Sequence, residues 1–400
     1  MALAHHLGQD PRCELTVAID DPDRYAREPV ARLLPIRARF VDRARGRMAH
    51  TLRREGFDIL IVDNHLPAEP IAPRLLVLWH GFGWRIDDLT TMRRELAALV
   101  GDVTRPNPNF RWQACGPWDR EYRIQHSGLA PDNVLMLGAA FSDLLLPQDE
   151  RPARAGDAAR PVTGTSPKAF PLADRAALVE AVQDAYPVDL RRKTILLGLT
   201  WHHGAAFAQW GDDSRLLGQL FDHAAARDTN VLVRMHDRRR YEPAYLEALE
   251  RVARGRQNVW VTYKSEHPDS LVDFLVSDLL VSNYSSLLNG FYFTRRPTVH
   301  LDPCAPGAVR FTYRRLKRGR VHEEKLELAS ELWKLDPAEI GGLRATSFPE
   351  ALALIGRALK QPDCCREPAR VFTTRYVTGA DGNTCARIAD ALLTWPVGPG

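Results

Sequence analysis

Short apolar, β-rich runs alternate with helical patterns along nearly the whole chain, as in parallel sheets covered by helices. In the first half the pattern predicts strands at 57–62, 75–79 and 133–138. From about residue 147 to 171 the composition changes to Pro, Ala, Arg, Gly, Asp and Thr without periodicity, as expected of an interdomain linker. Five further strands are predicted after it, at 194–200, 231–236, 259–262, just before Asn283, and at 298–301. The expectation is an α/β chain with a Rossmann-like domain over 1–165 and a second over 166–375. A C-terminal helix over 376–400 follows a turn at Asp381-Gly382-Asn383-Thr384, with Asn383 or Thr384 as its cap, and packs back on the first domain.

In doubly wound sheets ligands bind outside the carboxyl ends of the strands. Polar residues here directly follow predicted strands at Trp79-His80-Gly81, Thr200-Trp201-His202, Arg234-Met235-His236 and Asn283-Tyr284-Ser285-Ser286. The last of these reads as a strand running into the first turn of a helix, capped by Asn283 or Ser285. Unpaired N–H groups, the helix dipole and two hydroxyls could there enclose a diphosphate. The plainer alternative is a capped helix after a buried strand.

His80 lies beside Gly81-Phe82-Gly83, where a tight turn can aim a neutral imidazole into a cleft as a general base. Its alternative is a buried histidine bracing the turn. Arg234 and His236 share a strand face and could neutralise or protonate a leaving phosphate; otherwise Arg234 pairs with Asp237 and His236 caps. Thr200 offers a hydroxyl and Trp201 an indole for stacking. The pair His202-His203 has no carboxylate or cysteine at ligand spacing, so no zinc site is expected.

Composition adds bounds. Four hundred residues, 45% hydrophobic and 26% charged, can fill two domains. The net charge is only +4, but Arg234, Arg238, Arg239 and Arg240 cluster, as do Arg310, Arg314, Arg315, Lys317, Arg318 and Arg320. Such clusters suit phosphate ligands or an anionic surface, or else form a solvated face. No run approaches ~20 apolar residues and the N-terminus lacks a signal-peptide layout, so a cytoplasmic location is expected. The six cysteines show no Cys-x-x-Cys spacing and read as reduced and structural.

Taken in order, Trp79-His80-Gly81, the Gly-x-x-x-x-Asp-x-Leu of 138–145 with Asp143, Thr200-Trp201, 232–236, 277–286 and 381–388 resemble the CDP-glycerol glycerophosphotransferases, the teichoic-acid primases and polymerases. The resemblance implies a GT-B fold: two doubly wound Rossmann-like domains facing across a cleft, the first taking the acceptor and the second the CDP donor. It implies CDP-glycerol or a related CDP-alditol as donor and a glycan or lipid-linked acceptor. No cofactor, essential divalent metal or nucleic acid is implied, and the protein would work at the inner face of an anionic membrane. The roles it implies are His80 as base, His236 as second catalytic residue, and Thr200, Trp201, Arg234, Asn283, Ser285 and Ser286 on the donor. Arg85 and Asp143 would lie on the acceptor side. The family carries Asp where Asn283 stands, Pro where Asp237 stands, and Lys in the turn that here reads Phe82-Gly83-Trp84-Arg85. The alternatives are a GT-B glycosyltransferase or epimerase using a UDP- or GDP-sugar, and a non-catalytic nucleotide-binding member of the fold.

Overall fold

Uninterrupted apolar runs suit parallel sheets covered by helices, and that is how this chain uses them. A computed structural model describes all residues except 44–47, 64–65, 79–88, 152–174, 200–206, 208–209, 284, 302–308, 318–319, 329–334, 336–337 and 397–400. Two compact units emerge, one of residues 1–160 and 373–400, the other of 161–372.

In the first unit β1 (Thr16–Ile19) pairs with β2 (Arg39–Asp42) as a parallel two-stranded sheet. A parallel four-stranded sheet follows in sequence order: β3 (Ile59–Val62), β4 (Arg74–Val77), β5 (Phe110–Ala114) and β6 (Val134–Met136). Leu75, Val77, Leu96, Phe110, Trp112 and Leu129 form its core. β5 escapes the sequence pattern because Arg111 and Gln113 interrupt its apolar run. Both polar groups are satisfied by backbone: Arg111 donates to the Asn107 carbonyl at 3.1 Å, and Gln113 to that of Gly138.

Asp143 belongs to this framework. Its Oδ1 accepts from the Thr384 N–H at 3.0 Å and its Oδ2 from the Cys385 N–H at 2.7 Å. Those are the first N–H groups of the helix Thr384–Leu393, whose N-cap Asn383 makes no side-chain cap bond. Asp143 therefore supplies the side-chain bonds at that helix start across 241 residues of sequence, a bracing role beside the expected acceptor one, while Asn383 holds the expected N-cap position without a side-chain bond. Gly138, at φ +89°, lies so close that a Cβ would meet the Thr378 carbonyl and Thr384 Oγ1. The motifs at 138–145 and 381–388 thus clasp each other. Asp143→Ala is expected to lower the unfolding free energy by about 2–4 kcal/mol, since bonds to an ionised group contribute roughly 1.5–3 each and a lost cap costs about 1. Urea denaturation measures it; unchanged stability with lost activity would assign Asp143 to the acceptor alone.

The second unit contains β7 (Lys193–Gly198), β8 (Thr229–Met235), β9 (Val259–Tyr263), β10 (Leu279–Ser282), β11 (Thr298–Leu301), the hairpin β12 (Val309–Lys317) and β13 (Arg320–Leu328), and β14 (Leu343–Ala345). Six of these form one parallel sheet in the order β14-β11-β10-β7-β8-β9. The sequence predicts five; β14 is too short at three residues to show a period. On one face Ile195, Leu197, Val231, Val233 and Val281 pack against Leu217, Leu220 and Phe221 of the helix Asp213–Ala225 and Ile355 of the helix Phe348–Lys360. The chain winds outward through β7, β8 and β9, then returns to place β10 on the other side of β7. The order reverses there, and a ligand crevice is expected at the carboxyl ends of β7 and β10.

Arg310, Arg314, Arg315, Lys317 and Arg320 of the second cluster lie on the hairpin, in whose antiparallel register Arg310 stands opposite Glu327 and Arg314 opposite Glu323; Arg318 lies outside the described residues. Among the described residues no helix is long and apolar enough to cross a membrane. None of the described cysteines is in a disulfide, and burial pushes the Cys115 and Cys385 thiols up, away from the reactive thiolate.

Candidate active site

The polar segment after β10 stands beside β7. Ser282 donates its hydroxyl to the Gly198 carbonyl, tying the two strand ends together. Gly198 has no side chain because Leu287 occupies the space a Cβ would need. Leu287 opens the helix that follows β10, Leu287–Phe291, so glycine on β7 lets this helix settle over the strand end. Asn283 and Ser285 are buried at 5% and 7% exposure, and Ser286 is half-buried.

The helix starts later than the sequence suggests. Its N-cap position is Ser286, with helical φ and ψ and no side-chain cap bond, rather than Asn283 or Ser285. Ser285 Oγ accepts a long 3.4 Å bond from the Leu287 N–H, and the Ser285 carbonyl accepts from Leu288. With five residues the helix carries only a small dipole. An anion here would depend on the Asn and Ser side chains more than on the helix end.

At the end of β8, the neighbour of β7, Arg234 and His236 differ from their expected roles. Arg234 is buried, its Nη1 donating to Asp273 Oδ2 at 3.0 Å and its Nη2 to the His267 carbonyl. Asp273, also buried, accepts a second bond at Oδ1 from the Tyr186 hydroxyl at 2.7 Å. The partner is thus Asp273 and not Asp237, which instead caps the turn after β8 by accepting from the Arg239 N–H at 3.0 Å. Burial pushes the Asp273 carboxyl up, while Arg234 pulls it back toward ionisation. The expectation that Arg234 neutralises a leaving phosphate is corrected: its charge is already matched inside the unit.

His236 donates its backbone N–H to the buried Tyr241 hydroxyl at 2.9 Å. Burial, then the positive charges of Lys264, Arg240 and Arg234, lower its imidazole from the usual 6.5 to about 3. The ring is neutral near pH 7, so without ligand it holds neither a proton to give nor a charge to oppose a phosphate. It can still donate one N–H hydrogen bond.

Lys264 was not singled out in the sequence. It follows β9, its backbone N–H donates to the Met235 carbonyl at 3.0 Å, and its side chain is exposed. A scan for any cation just past a strand would have found it. The Arg238 guanidinium near it is already held, by Glu250 at 2.5 Å and over the Tyr263 ring at 4.9 Å. His80, Arg85, Thr200 and Trp201 lie outside the described residues.

The structure therefore brings Asn283, Ser285 and Ser286 to the reversal of strand order, with His236 two strands away, about 10 Å at ordinary strand spacing. Residues 163–394, more than half of the chain, match the family model described as CDP-glycerol:poly(glycerophosphate) glycerophosphotransferase. The chain belongs to this family. No curated protein matches it significantly in sequence.

Among solved structures it is similar to the wall teichoic acid polymerase TagF, at 14% identity and TM-score 0.62, covering 98% of this chain and 84% of that one. A TagF variant soaked with CDPG matches at 12% identity and TM-score 0.61 over the same shares. A putative UDP-N-acetylglucosamine 2-epimerase from Listeria monocytogenes matches at 12% identity and TM-score 0.51, over 100% of this chain and 94% of that one. At such identities the likeness shows the fold, which is α/β of the GT-B type. The family shows a transferase of the CDP-glycerol glycerophosphotransferase type.

Proposed function

We propose that this member of the family transfers an alditol phosphate, taken as glycerol phosphate, from CDP-glycerol or a related CDP-alditol to a hydroxyl of a glycan or lipid-linked acceptor. The observation that carries the reading is the position of Asn283, Ser285 and Ser286 beside the reversal of strand order. An acceptor oxygen would attack the phosphorus bearing glycerol, in line with the bond to CMP. That P–O bond breaks, CMP leaves with its electron pair, and the hydroxyl proton passes to His80. Such chemistry depends on positioning and charge stabilisation. Asn283, Ser285, Ser286 and the neutral His236 would hydrogen-bond the diphosphate oxygens. Thr200 and Trp201 would serve the nucleotide and Arg85 the acceptor.

The test is CMP release from CDP-glycerol, with UDP- and GDP-sugars as competing donors. His80→Ala is expected to slow turnover by about 10²-fold or more while leaving CDP-glycerol affinity nearly unchanged, the range for a lost general base. Release of nucleotide from a UDP-sugar but not from CDP-glycerol would replace this reading with that of a glycosyltransferase or epimerase.

A lipid-linked acceptor would bring the chain to an anionic, cytoplasmic membrane face, which suits the hairpin's arginines. Co-sedimentation with phosphatidylglycerol vesicles should then fall steeply between low and physiological salt. Equal sedimentation with neutral vesicles would remove the membrane from the proposal.

A further inference from the structure

The transfer reaction makes no use of the adjacent pair Cys364-Cys365. Both residues lie in the turn between the helices Phe348–Lys360 and Arg366–Tyr376, within the second unit. Backbone bonds hold that turn on either side: the Cys364 N–H donates to the Gln361 carbonyl at 3.1 Å, and the Cys365 carbonyl accepts from the Ala369 N–H at 2.9 Å. The arrangement leaves the two sulfurs 3.8 Å apart, in contact but not bonded. Their surroundings differ. Cys365 is fully buried, its Sγ 3.9 Å from the Thr298 carbonyl at the start of β11, and burial pushes its thiol up, toward the protonated form. Cys364 is only half-buried, so it is the member of the pair that solvent can reach.

We propose that Cys364 and Cys365 form a reversible redox site, closed to a vicinal disulfide by hydrogen peroxide and opened again by a dithiol. This site is independent of the donor reading. As thiolate, Cys364 Sγ attacks one peroxide oxygen; the O–O bond breaks, and the other oxygen leaves as hydroxide and takes a proton to become water. Cys364 is then a sulfenic acid. Cys365 Sγ, already in contact, attacks the Cys364 sulfur; the S–O bond breaks, and its oxygen leaves as a second water with the Cys365 proton. The two thiols have given up two electrons and two protons to one peroxide. A buried thiol meets an oxidant in solution poorly, but it needs no solvent access to attack a sulfur that touches it. Adjacent Cα atoms are about 3.8 Å apart, below the ~4.4 Å at which ordinary disulfides begin, so the closed ring is strained and easily reduced. Such a bond suits a switch rather than a staple.

The experiment treats the full native chain with hydrogen peroxide, unfolds it, blocks the remaining thiols with iodoacetamide and weighs the tryptic peptide 361–366, which carries both cysteines. In wild type the peptide should lose both alkylation sites together, with the mass of two hydrogen atoms, and regain them after dithiothreitol. Cys115 and Cys385, both buried, should stay alkylatable under the same treatment. Cys365→Ser should stop at a sulfenic acid on Cys364, which dimedone captures. Cys364→Ser should leave Cys365 reacting about 10-fold or more slowly than Cys364 does in the other variant, as a buried, protonated thiol must. The wild-type result needs no variant to fold. Two alkylatable thiols in the wild-type peptide when glutathione in the same tube is fully oxidised would overturn the proposal. So would a peptide that ends as sulfinic or sulfonic acid without an internal bond, a disulfide to any other cysteine, or equal rates in the two single variants.

Discussion

Arg234→Met is expected to destabilise the protein by about 3–5 kcal/mol, because removing one member of a buried ion pair leaves the other charge uncompensated in low dielectric. Asp273 would keep its bond from the Tyr186 hydroxyl but lose the guanidinium, and its carboxyl would shift toward the protonated form. Asp273→Ala should lose as much, since it strands the guanidinium and the phenol together. Replacing the whole network, with Arg234→Met, Asp273→Leu and Tyr186→Phe combined, should recover most of the loss, because an apolar set of similar volume avoids the desolvation penalty. Urea denaturation of the four proteins gives the comparison. A loss under about 1 kcal/mol in Arg234→Met, together with a large fall in CDP-glycerol affinity, would return Arg234 to the donor phosphate and withdraw the structural assignment.

That network marks where sequence reading stops. The strands it predicts carry nearly unbroken apolar runs, and some of them, such as 194–198 and 279–281, are buried almost throughout. β5 is missed because Arg111 and Gln113 face partners that only the folded chain supplies, and β14 because three residues carry no period. Positions relative to strand ends are legible, which is why Ser285 and His236 were named. Partners are not. Asp273 lies 39 residues after Arg234, in the short helix Leu271–Val276 whose other residues are all apolar, and nothing local ties it to that arginine. Asp143 likewise stands in a Gly-x-x-x-x-Asp-x-Leu pattern that looks chemical. Each of its oxygens nonetheless accepts an N–H of a helix some 241 residues away.

Replacing Ser285 and Ser286 together with alanine should cut CDP-glycerol affinity by about 100-fold or more, since hydrogen bonds to an ionised oxygen contribute roughly 1.5–3 kcal/mol each. From sequence alone such a result would be ambiguous, because a serine at a helix start can act purely as a cap costing about 1 kcal/mol to remove. The folded geometry weakens that objection. Ser286 makes no side-chain cap bond, and the bond from the Leu287 N–H to Ser285 Oγ is 3.4 Å long, near the limit at which such a contact stabilises anything. The double variant should therefore melt within a few degrees of wild type while losing most of its donor affinity. CMP should lose affinity less than CDP-glycerol if the hydroxyls grip the second phosphate, and the comparison needs only calorimetry beside a thermal scan. A melting temperature that drops sharply with CDP-glycerol affinity intact would mean that the two serines hold the loop after β10 and nothing more. The diphosphate would then have to be sought at another strand end.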